Sequence, residues 1–446
     1  MCKNLPCSAT LVISLLSPYK ITVMTSRNIS PLKGILTAAC ILFILAGCVK
    51  DHVSKTETYT YTITTPVYKT RSEMLASING SSAQPVKTAG KLYIKDQFIY
   101  LNEVNKGIHI IDNSNPSHPT QVAFLNIPGN LDIAVKEHTL YADTYTDLLA
   151  IDISNPKQVT VTNTIPNFYM SRIYFNMLNA DSDMVVVDFI KKDTTVTGAT
   201  YYPDCINCSF ELYAAAAQGN NVTKSNNPGK AGSMASMVLM NNYLYALREA
   251  HSIGIVNVST PAAPTLDTTF GAGFDLETIY PFEDKLFLGS MSGMYMYDMT
   301  NPVAPVKLGE FSHGKACDPV VTDGTYAYVT LHAGTACGGA ANELNVIDIK
   351  DLMNPTLVKA YDLTKPTGLC KDGNLLFVCD DASGVRLYDA ADAGNLKQLN
   401  KIDIKDSYDI IAGNNHAMVV TSEGLYQYDY SDKSNIKKLS FYSLKN

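Results

Sequence analysis

Short apolar runs that end in polar turns recur along most of the chain and indicate repeated β-structure. One motif has three or four apolar or β-forming residues, then Asp or Asn, and often Asn-Pro soon afterwards. Its copies end at Asp112, Asp152, Asn257, Asp298, Asp348, Asp389 and Asp429. Four of the six intervals between copies are 40 or 41 residues long. Because short runs rich in β-branched and aromatic residues between turns are typical of strands, each repeat predicts four strands.

A four-stranded unit of this length, repeated along the chain, predicts a β-propeller, in which blades pack face to face around an axis. The one long interval has room for a further degenerate repeat, with Arg172–Phe175 and Met184–Asp188 as its first two strands and an insertion at about residues 190–232. The predicted fold class is all-β, a single propeller of about eight four-stranded blades over residues 86–446. If the long interval holds one oversized repeat, the count is seven.

The first 47 residues are predicted to be a signal sequence and not part of the fold. Arg27 and Lys33 precede an apolar run, residues 34–47, that is short for a membrane span. The run ends in Leu-Ala-Gly-Cys48, which resembles the lipobox of bacterial lipoproteins, where the cysteine is lipidated. An ordinary signal peptide or an uncleaved anchor is the alternative, and the true start is either Met1 or Met24.

Residues 48–85 are predicted to be the lipidated cysteine and a tether. Within them, Glu57–Thr65 alternates like a strand, and an outer blade edge is its candidate partner. No Asp directly follows Cys48, so nothing suggests retention at an inner membrane. We therefore expect an outer-membrane lipoprotein, attached to the membrane through its lipid and located on the periplasmic or cell-surface face.

Composition and charge fit this interpretation. Tyr and Gly number 27 each, Trp is absent, and the formal net charge is −7 without a basic stripe, which argues against nucleic acid as a partner. Export favours disulfides over metal thiolates. Cys317 with Cys337 and Cys205 with Cys208 are the candidate disulfides, a His/Cys metal site being the alternative for the first pair. The states of Cys370 and Cys379 stay open, and a monomer is expected.

The segments from Gly107 to Pro116 (GIHIIDNSNP) and from Cys317 to Val321 (CDPVV) resemble the LVIVD-repeat family of bacterial and archaeal surface proteins, and its Bacteroidetes members in particular. The resemblance extends over about residues 90–446. It implies a propeller and export. It implies no established activity, and therefore no catalytic residues.

The motif Asp recurs in nearly every unit, and it is interpreted as a turn cap, not as a site. The starts of the first strands differ between units, so they are better functional candidates. Aligning the second strands places Asp132, Asp318 and Asp409 at equivalent positions, where other units have Ser236, Thr278 and Thr367. With His313 and His332 nearby, these residues predict an acidic, hydroxyl-lined funnel on one face. Ca²⁺ is the cation that such a funnel would favour; solvated loop charges are the alternative.

Two functions remain open from the sequence. The first is a non-catalytic binding module for a protein, glycan or cation at the loop face. The second is a metal-dependent extracellular hydrolase or lyase with its site at the channel mouth. Because no G-x-S-x-G, H-E-x-x-H or Walker motif is present in the sequence, the binding module is favoured.

Overall fold

The computed structural model describes residues 57–169, 183–198, 217–218, 230–314, 319–333, 341–381 and 383–443. The chain divides into two compact units. The smaller unit takes in residues 1–60 and 195–202, and in it the hydroxyl groups of Thr60 and Thr195 lie 3.1 Å apart. The larger unit takes in residues 61–194 and 203–446 and contains all the blades.

The N-terminal segment precedes the first two blades. It consists of β1 (Glu57–Thr70), α1 (Arg71–Ala76) and β2 (Gly80–Ser81). Blade 1 consists of β3 (Ala89–Lys95), β4 (Phe98–Glu103), β5 (Gly107–Asp112) and β6 (Thr120–Asn126). Blade 2 consists of β7 (Ile133–Lys136), β8 (Thr139–Asp143), β9 (Leu148–Asp152) and β10 (Thr160–Ile165).

An insertion separates these blades from the remaining five. Its strands are β11 (Met184–Gly198), β12 (Ala217–Gln218), β13 (Lys230–Ala231) and β14 (Ser233–Met234). Blade 3 consists of β15 (Met237–Met240), β16 (Tyr243–Glu249), β17 (Ser252–Asn257) and β18 (Thr265–Gly271). Blade 4 consists of β19 (Leu276–Phe282), β20 (Lys285–Ser290), β21 (Gly293–Asp298) and β22 (Val306–Ser312).

Blade 5 consists of β23 (Val320–Thr322), β24 (Tyr326–Leu331), β25 (Glu343–Asp348) and β26 (Thr356–Asp362). Blade 6 consists of β27 (Leu369–Asp372), β28 (Leu375–Cys379), β29 (Val385–Asp389) and β30 (Lys397–Ile402). Blade 7 consists of β31 (Ser407–Gly413), β32 (His416–Thr421), β33 (Gly424–Asp429) and β34 (Lys437–Ser443).

The described strands form seven antiparallel blades, so the all-β propeller is confirmed with the lower of the two counts. The first strand of each blade is innermost and the fourth is outermost. The eighth blade, proposed for the long interval, is wrong: Met184–Asp188 forms the start of the 15-residue strand β11, which pairs with β1. The other proposed strand, Arg172–Phe175, lies outside the described residues.

The turn after the third strand explains the repeated motif. In all seven blades the motif Asp or Asn accepts a hydrogen bond from the backbone N–H two residues later, at 2.7–3.0 Å. The hydroxyl and backbone N–H of the residue two positions on lower the pKa of Asp152 and of Asp298. The interpretation of this residue as a turn cap is therefore confirmed.

Apolar strand faces pack between neighbouring blades and form the core. Buried tyrosines add polar contacts between blades: the Tyr141 hydroxyl donates to the Pro261 carbonyl at 3.0 Å, and the Tyr245 hydroxyl to the Pro302 carbonyl at 3.2 Å. Each outermost strand also carries a register shift against the third strand. Such bulges twist an open edge and make it a poorer template for pairing with another chain.

The ring closes between blade 7 and blade 1, and each of these blades uses strands from one stretch of chain. We call this joint the seam. Apolar residues of both blades share one cluster there, which includes Leu92 and Ile411. Polar contacts join the same blades: the Gln427 amide donates to Asn113 at 2.7 Å, and the Tyr442 hydroxyl donates to Gln121 at 2.8 Å.

The tether contains the expected strand, but with a different partner. β1 pairs with β11, whereas the outer edge of blade 1 pairs with β2. Between β1 and β2, the helix α1 begins with a capping box, in which the side chains of Thr70 and Glu73 each accept from the other's backbone N–H group. In the described part of the chain, no helix has the length and apolar character needed to cross a membrane.

Candidate binding face

The first strands start on the face that also carries the loops between second and third strands; we call it the upper face. Strand register places Asp132, Ser236, Thr278 and Asp409 at equivalent positions there. Blade 1 has Lys91 at this position, which the sequence reasoning missed although the same alignment would have found it.

The register corrects two other positions. In blade 6 the equivalent residue is Gly368, whose carbonyl accepts from Cys379 N at 2.8 Å, so Thr367 precedes the position by one residue. In blade 5 the equivalent residue is Pro319. Asp318 itself lies outside the described residues.

Lys91, Asp132 and Ser236 form a closed polar cluster across blades 1, 2 and 3. Asp132 Oδ2 lies 2.9 Å from the Lys91 ammonium and accepts from the Ser236 backbone N–H at 2.6 Å and hydroxyl at 2.9 Å. Asp132 Oδ1 accepts from Ile133 N at 2.7 Å. Protein donors thus surround Oδ2 and one more binds Oδ1, so Asp132 stabilises the joints between blades.

Asp143, at the end of β8, explains the position of this carboxylate. Its Oδ1 accepts from the backbone N–H groups of Leu131 and Asp132, both at 2.9 Å. The fully buried Asp143 thus fixes the entry into β7. Its role is therefore structural.

Asp409 is fully buried, and no described side chain hydrogen-bonds to either of its carboxylate oxygens. Burial raises the pKa of Asp409 well above its ordinary value, while the Ile410 N–H and the Lys91 charge act in the opposite direction. Asp409 and Asp132 therefore occupy equivalent positions, but Asp132 pairs directly with Lys91 and Asp409 does not.

The end of the insertion lies inside the first strands of the ring. β13 pairs with β3, and β12 pairs with β14. Ser233 Oγ accepts from Leu369 N of blade 6 at 2.8 Å, and the Ala235 carbonyl accepts from Ile279 N of blade 4 at 2.8 Å. We call residues 230–235 the plug. Because the plug contacts opposite sides of the ring, it obstructs the channel that the sequence analysis treated as a funnel.

A cavity of about 390 Å³ opens on the upper face beside the seam. Blades 6 and 7 and the segment before β3 form its walls, and we call it the upper-face cavity. Its charged residues are Lys87, Lys365, Asp381 and Asp406, and its other polar groups are mainly hydroxyls. Of these, Lys87, Lys365 and Asp406 were not candidates in the sequence analysis, because they come from linkers that have no shared motif.

Of the two candidate histidines, His332 is close to this cavity. Its pKa is lowered by burial and by the Lys365 charge, and Asp381 opposes these effects. His313, after blade 4, has Nδ1 2.6 Å from the Gly314 carbonyl oxygen. Within the described residues, no three His, Cys, Asp or Glu side chains are grouped as they would be around a metal ion.

Other charges on the upper face are paired locally. Glu103 contacts the buried His109 at 2.9 Å, and Asp147, fully buried, contacts Arg71 at 2.7 Å. The candidate cysteines Cys48, Cys205, Cys208, Cys317 and Cys337 lie outside the described residues. Cys370 and Cys379 are buried and are not joined in a disulfide.

Comparison with known families explains the repeat. The family model described as "LVIVD repeat" matches residues 87–125, 131–164 and 313–363. The chain contains LVIVD repeats. The matches fall on blades 1, 2 and 5, so each LVIVD repeat corresponds to one blade. The resemblance to the LVIVD-repeat family is confirmed. That the chain is a lipoprotein of the Bacteroidetes type stays a prediction.

Similar solved structures include BamB from Moraxella catarrhalis, with 10% identity over 82% of this chain and 99% of that one and a TM-score of 0.47. A protein from Lactobacillus plantarum has 12% identity over 79% and 96%, with a TM-score of 0.49. Kluyveromyces lactis Hsv2p has 10% identity over 80% and 100%, with a TM-score of 0.45. No curated protein sequence matches this chain. The propeller assignment rests on its own seven sheets.

The LVIVD repeats supply one part of the upper face and the unmatched blades supply another. Lys91 and Asp132 belong to matched repeats, whereas Asp381 and Asp406 come from blades 6 and 7, outside the matches. Two of the three residues of the closed polar cluster therefore come from matched repeats, and most of the upper-face cavity is built by residues that the family pattern does not specify.

Proposed function

We propose that this protein is an exported, lipid-anchored β-propeller that binds a ligand in the upper-face cavity, without catalysing a reaction. The observation that carries the binding proposal is the cavity of about 390 Å³ next to an obstructed channel. A ligand at this face has an opening with polar walls, but no open path along the axis.

The charges of the cavity favour binding over turnover. Lys365 Nζ lies 2.7 Å from Asp381 Oδ2, and Ser422 Oγ donates to Asp406 Oδ2 at 2.8 Å. Lys365 and the Ser422 hydroxyl thus hold these two carboxylates in place as acceptors.

The anchor is proposed from the sequence of residues 34–48, and it would place the propeller at a membrane, with the outer membrane as the expected location. Metabolic labelling with an alkyne fatty acid tests this. We expect label on the full chain and none on Cys48→Ala, while Cys40→Ala, in the apolar run, keeps the label. Equal labelling of Cys48→Ala would refute the anchor and leave the binding proposal intact.

The binding proposal is tested by blocking the cavity. Ser422 lines it and is exposed, so a Ser422→Trp side chain would fill the opening without replacing a core residue. Ser431→Trp, exposed in the turn after β33, is the matched control. Arrays of glycans and of peptides are probed with the full chain and both variants. We expect at least one probe to bind, and this binding to be lost in Ser422→Trp only. Loss in both variants, or in neither, would refute the site.

A further inference from the structure

The Lys365–Asp381 ion pair gives the upper-face cavity a donor and an acceptor side by side. The pair engages only Oδ2 of Asp381, at 2.7 Å. The second oxygen keeps its lone pairs, and an ammonium group has further N–H donors. The Lys365 side chain is 53% exposed and the Asp381 side chain 18%, so a ligand can reach both.

The backbone holds this pair in place. Asp381 has a φ of 39° and forms an isolated bridge with Ser407 of blade 7. Lys365 N donates to Asp380 Oδ1 at 2.8 Å. Because both backbones are fixed, a ligand that uses the pair needs little rearrangement of the protein.

A second acceptor belongs to blade 7. Ser422 Oγ donates to Asp406 Oδ2 at 2.8 Å, so the other carboxylate oxygen can accept from a ligand and the serine oxygen can accept as well. Lys87 and Thr88 also line the cavity, and both are exposed and able to donate. The cavity thus offers hydrogen-bond donors as well as acceptors.

The balance of charge selects the class of ligand. Two lysines and two aspartates line the cavity, so a ligand with net charge meets a like charge as well as an opposite one. A short peptide with free termini is a zwitterion, and its charges would compete with the attraction between Lys365 and Asp381. Adjacent hydroxyls on a sugar ring carry no charge, and one can donate to Asp381 Oδ1 while its neighbour accepts from Lys365.

We propose that the upper-face cavity binds a neutral glycan, and that Lys365 and Asp381 together hold two adjacent hydroxyl groups of it. This inference rests on the proposed function, because it names the class of ligand for the same cavity.

The test is isothermal titration calorimetry of the full chain with neutral oligosaccharides built from glucose, galactose, mannose, xylose and N-acetylglucosamine. Oligogalacturonate and triglycine serve as the charged and zwitterionic probes. We expect binding of at least one neutral oligosaccharide, weakened about tenfold or more by Lys365→Gln and by Asp381→Asn, because each removes a charge-assisted hydrogen bond. Asn tolerates the positive φ at residue 381, so the second variant is expected to fold.

Lys350 and Asp348 form a similar exposed pair, 2.9 Å apart, on the opposite face of blade 5, and Lys350→Gln and Asp348→Asn are the matched controls. Neutral oligosaccharide binding that survives both cavity variants would overturn the assignment of the pair. Binding of triglycine or oligogalacturonate alone, lost in Ser422→Trp, would overturn the assignment of a neutral glycan and leave the proposed binding module standing. If no probe of any class binds, both proposals fail.

Discussion

Asp409 and Asp132 occupy the same register position in blades 7 and 2, and their replacement by asparagine is expected to change stability in opposite ways. Burial raises the pKa of Asp409 in the folded protein, whereas in the unfolded chain it has the ordinary value of about 3.9. Below that value both states hold the proton, and the group has no effect on stability. Above it, the folded state retains a proton that the unfolded state has lost.

The magnitude follows from proton linkage. Each pH unit between the unfolded-state and the folded-state pKa lowers the free energy of unfolding by about 1.4 kcal/mol. An asparagine side chain does not titrate, so the free energy of unfolding of Asp409→Asn should rise with pH relative to that of the wild type over this window. The buried amide adds a cost of its own, about 1–3 kcal/mol, but that cost does not depend on pH. The test is therefore how the difference in free energy of unfolding changes with pH, and not its value at any one pH.

Asp132→Asn should act in the other direction. It removes the partner of Lys91, whose side chain is only 12% exposed, and we expect the free energy of unfolding at neutral pH to fall by about 3 kcal/mol. The Ser236 and Ile133 bonds can persist to a carboxamide oxygen, which keeps the loss at the lower end of the range for a broken buried pair.

Urea unfolding of the full chain from about pH 4 to about pH 8 measures both effects. The 27 tyrosines, with no tryptophan, make tyrosine fluorescence and circular dichroism the suitable signals. A constant difference between the wild type and Asp409→Asn across this range would refute the argument that burial keeps Asp409 neutral. An Asp132→Asn variant as stable as the wild type would show that the Lys91 pair does not stabilise the ring.

Three further predictions concern the scaffold. Arg71→Ala should lower the free energy of unfolding by about 3 kcal/mol, because Asp147 stays buried without its charged partner. Adding Asp147→Asn should recover part of this loss in the same urea assay. Gly107→Ala should lower the free energy of unfolding by more than about 2 kcal/mol, because Gly107 has a φ of 146° and a Cβ there would lie 1.9 Å from a carbonyl oxygen. Gly271→Ala is the control: open space surrounds Gly271, so the free energy of unfolding should change by no more than about 0.5 kcal/mol. Equal effects of the two variants would contradict the geometry. The Cys379 thiol should resist alkylation in the folded protein at about pH 8, because burial raises its pKa, and peptide mass spectrometry showing alkylation as fast as in urea would contradict this.

The blades could be predicted from sequence because each is a local unit. Four consecutive strands pair with one another, so their turns and apolar runs appear in order along the chain. The repeated Asp is visible for the same reason, since it caps a turn only two residues away. Lys91 was missed for a different reason: a position at which residue types differ between blades is recognised only when every blade is aligned.

The eighth blade was a wrong prediction because the decisive contacts are distant in sequence. Met184–Asp188 has the apolar run and the Asp of the motif, but the strand continues to Gly198 and pairs with β1, more than a hundred residues earlier. The plug shows the same limit, since β13 pairs with β3 of blade 1 across a comparable separation. The upper-face cavity could not be predicted either, because linkers and loops from three blades form it only after the ring has closed.

The seam has a consequence for chain entropy. Short linkers connect the blades from the third to the seventh, and the insertion joins the second to the third, but no linker joins blade 7 to blade 1. Bringing together residues about 320 positions apart costs about 5 kcal/mol of loop-closure entropy, which falls on this joint alone. The plug offsets part of that cost from inside the ring, because Lys230 pairs with blade 1 through β13 while its ammonium group donates to the Ala412 carbonyl of blade 7. The inserted segment thus acts as a non-covalent cross-link at the one joint between blades where the covalent chain supplies none.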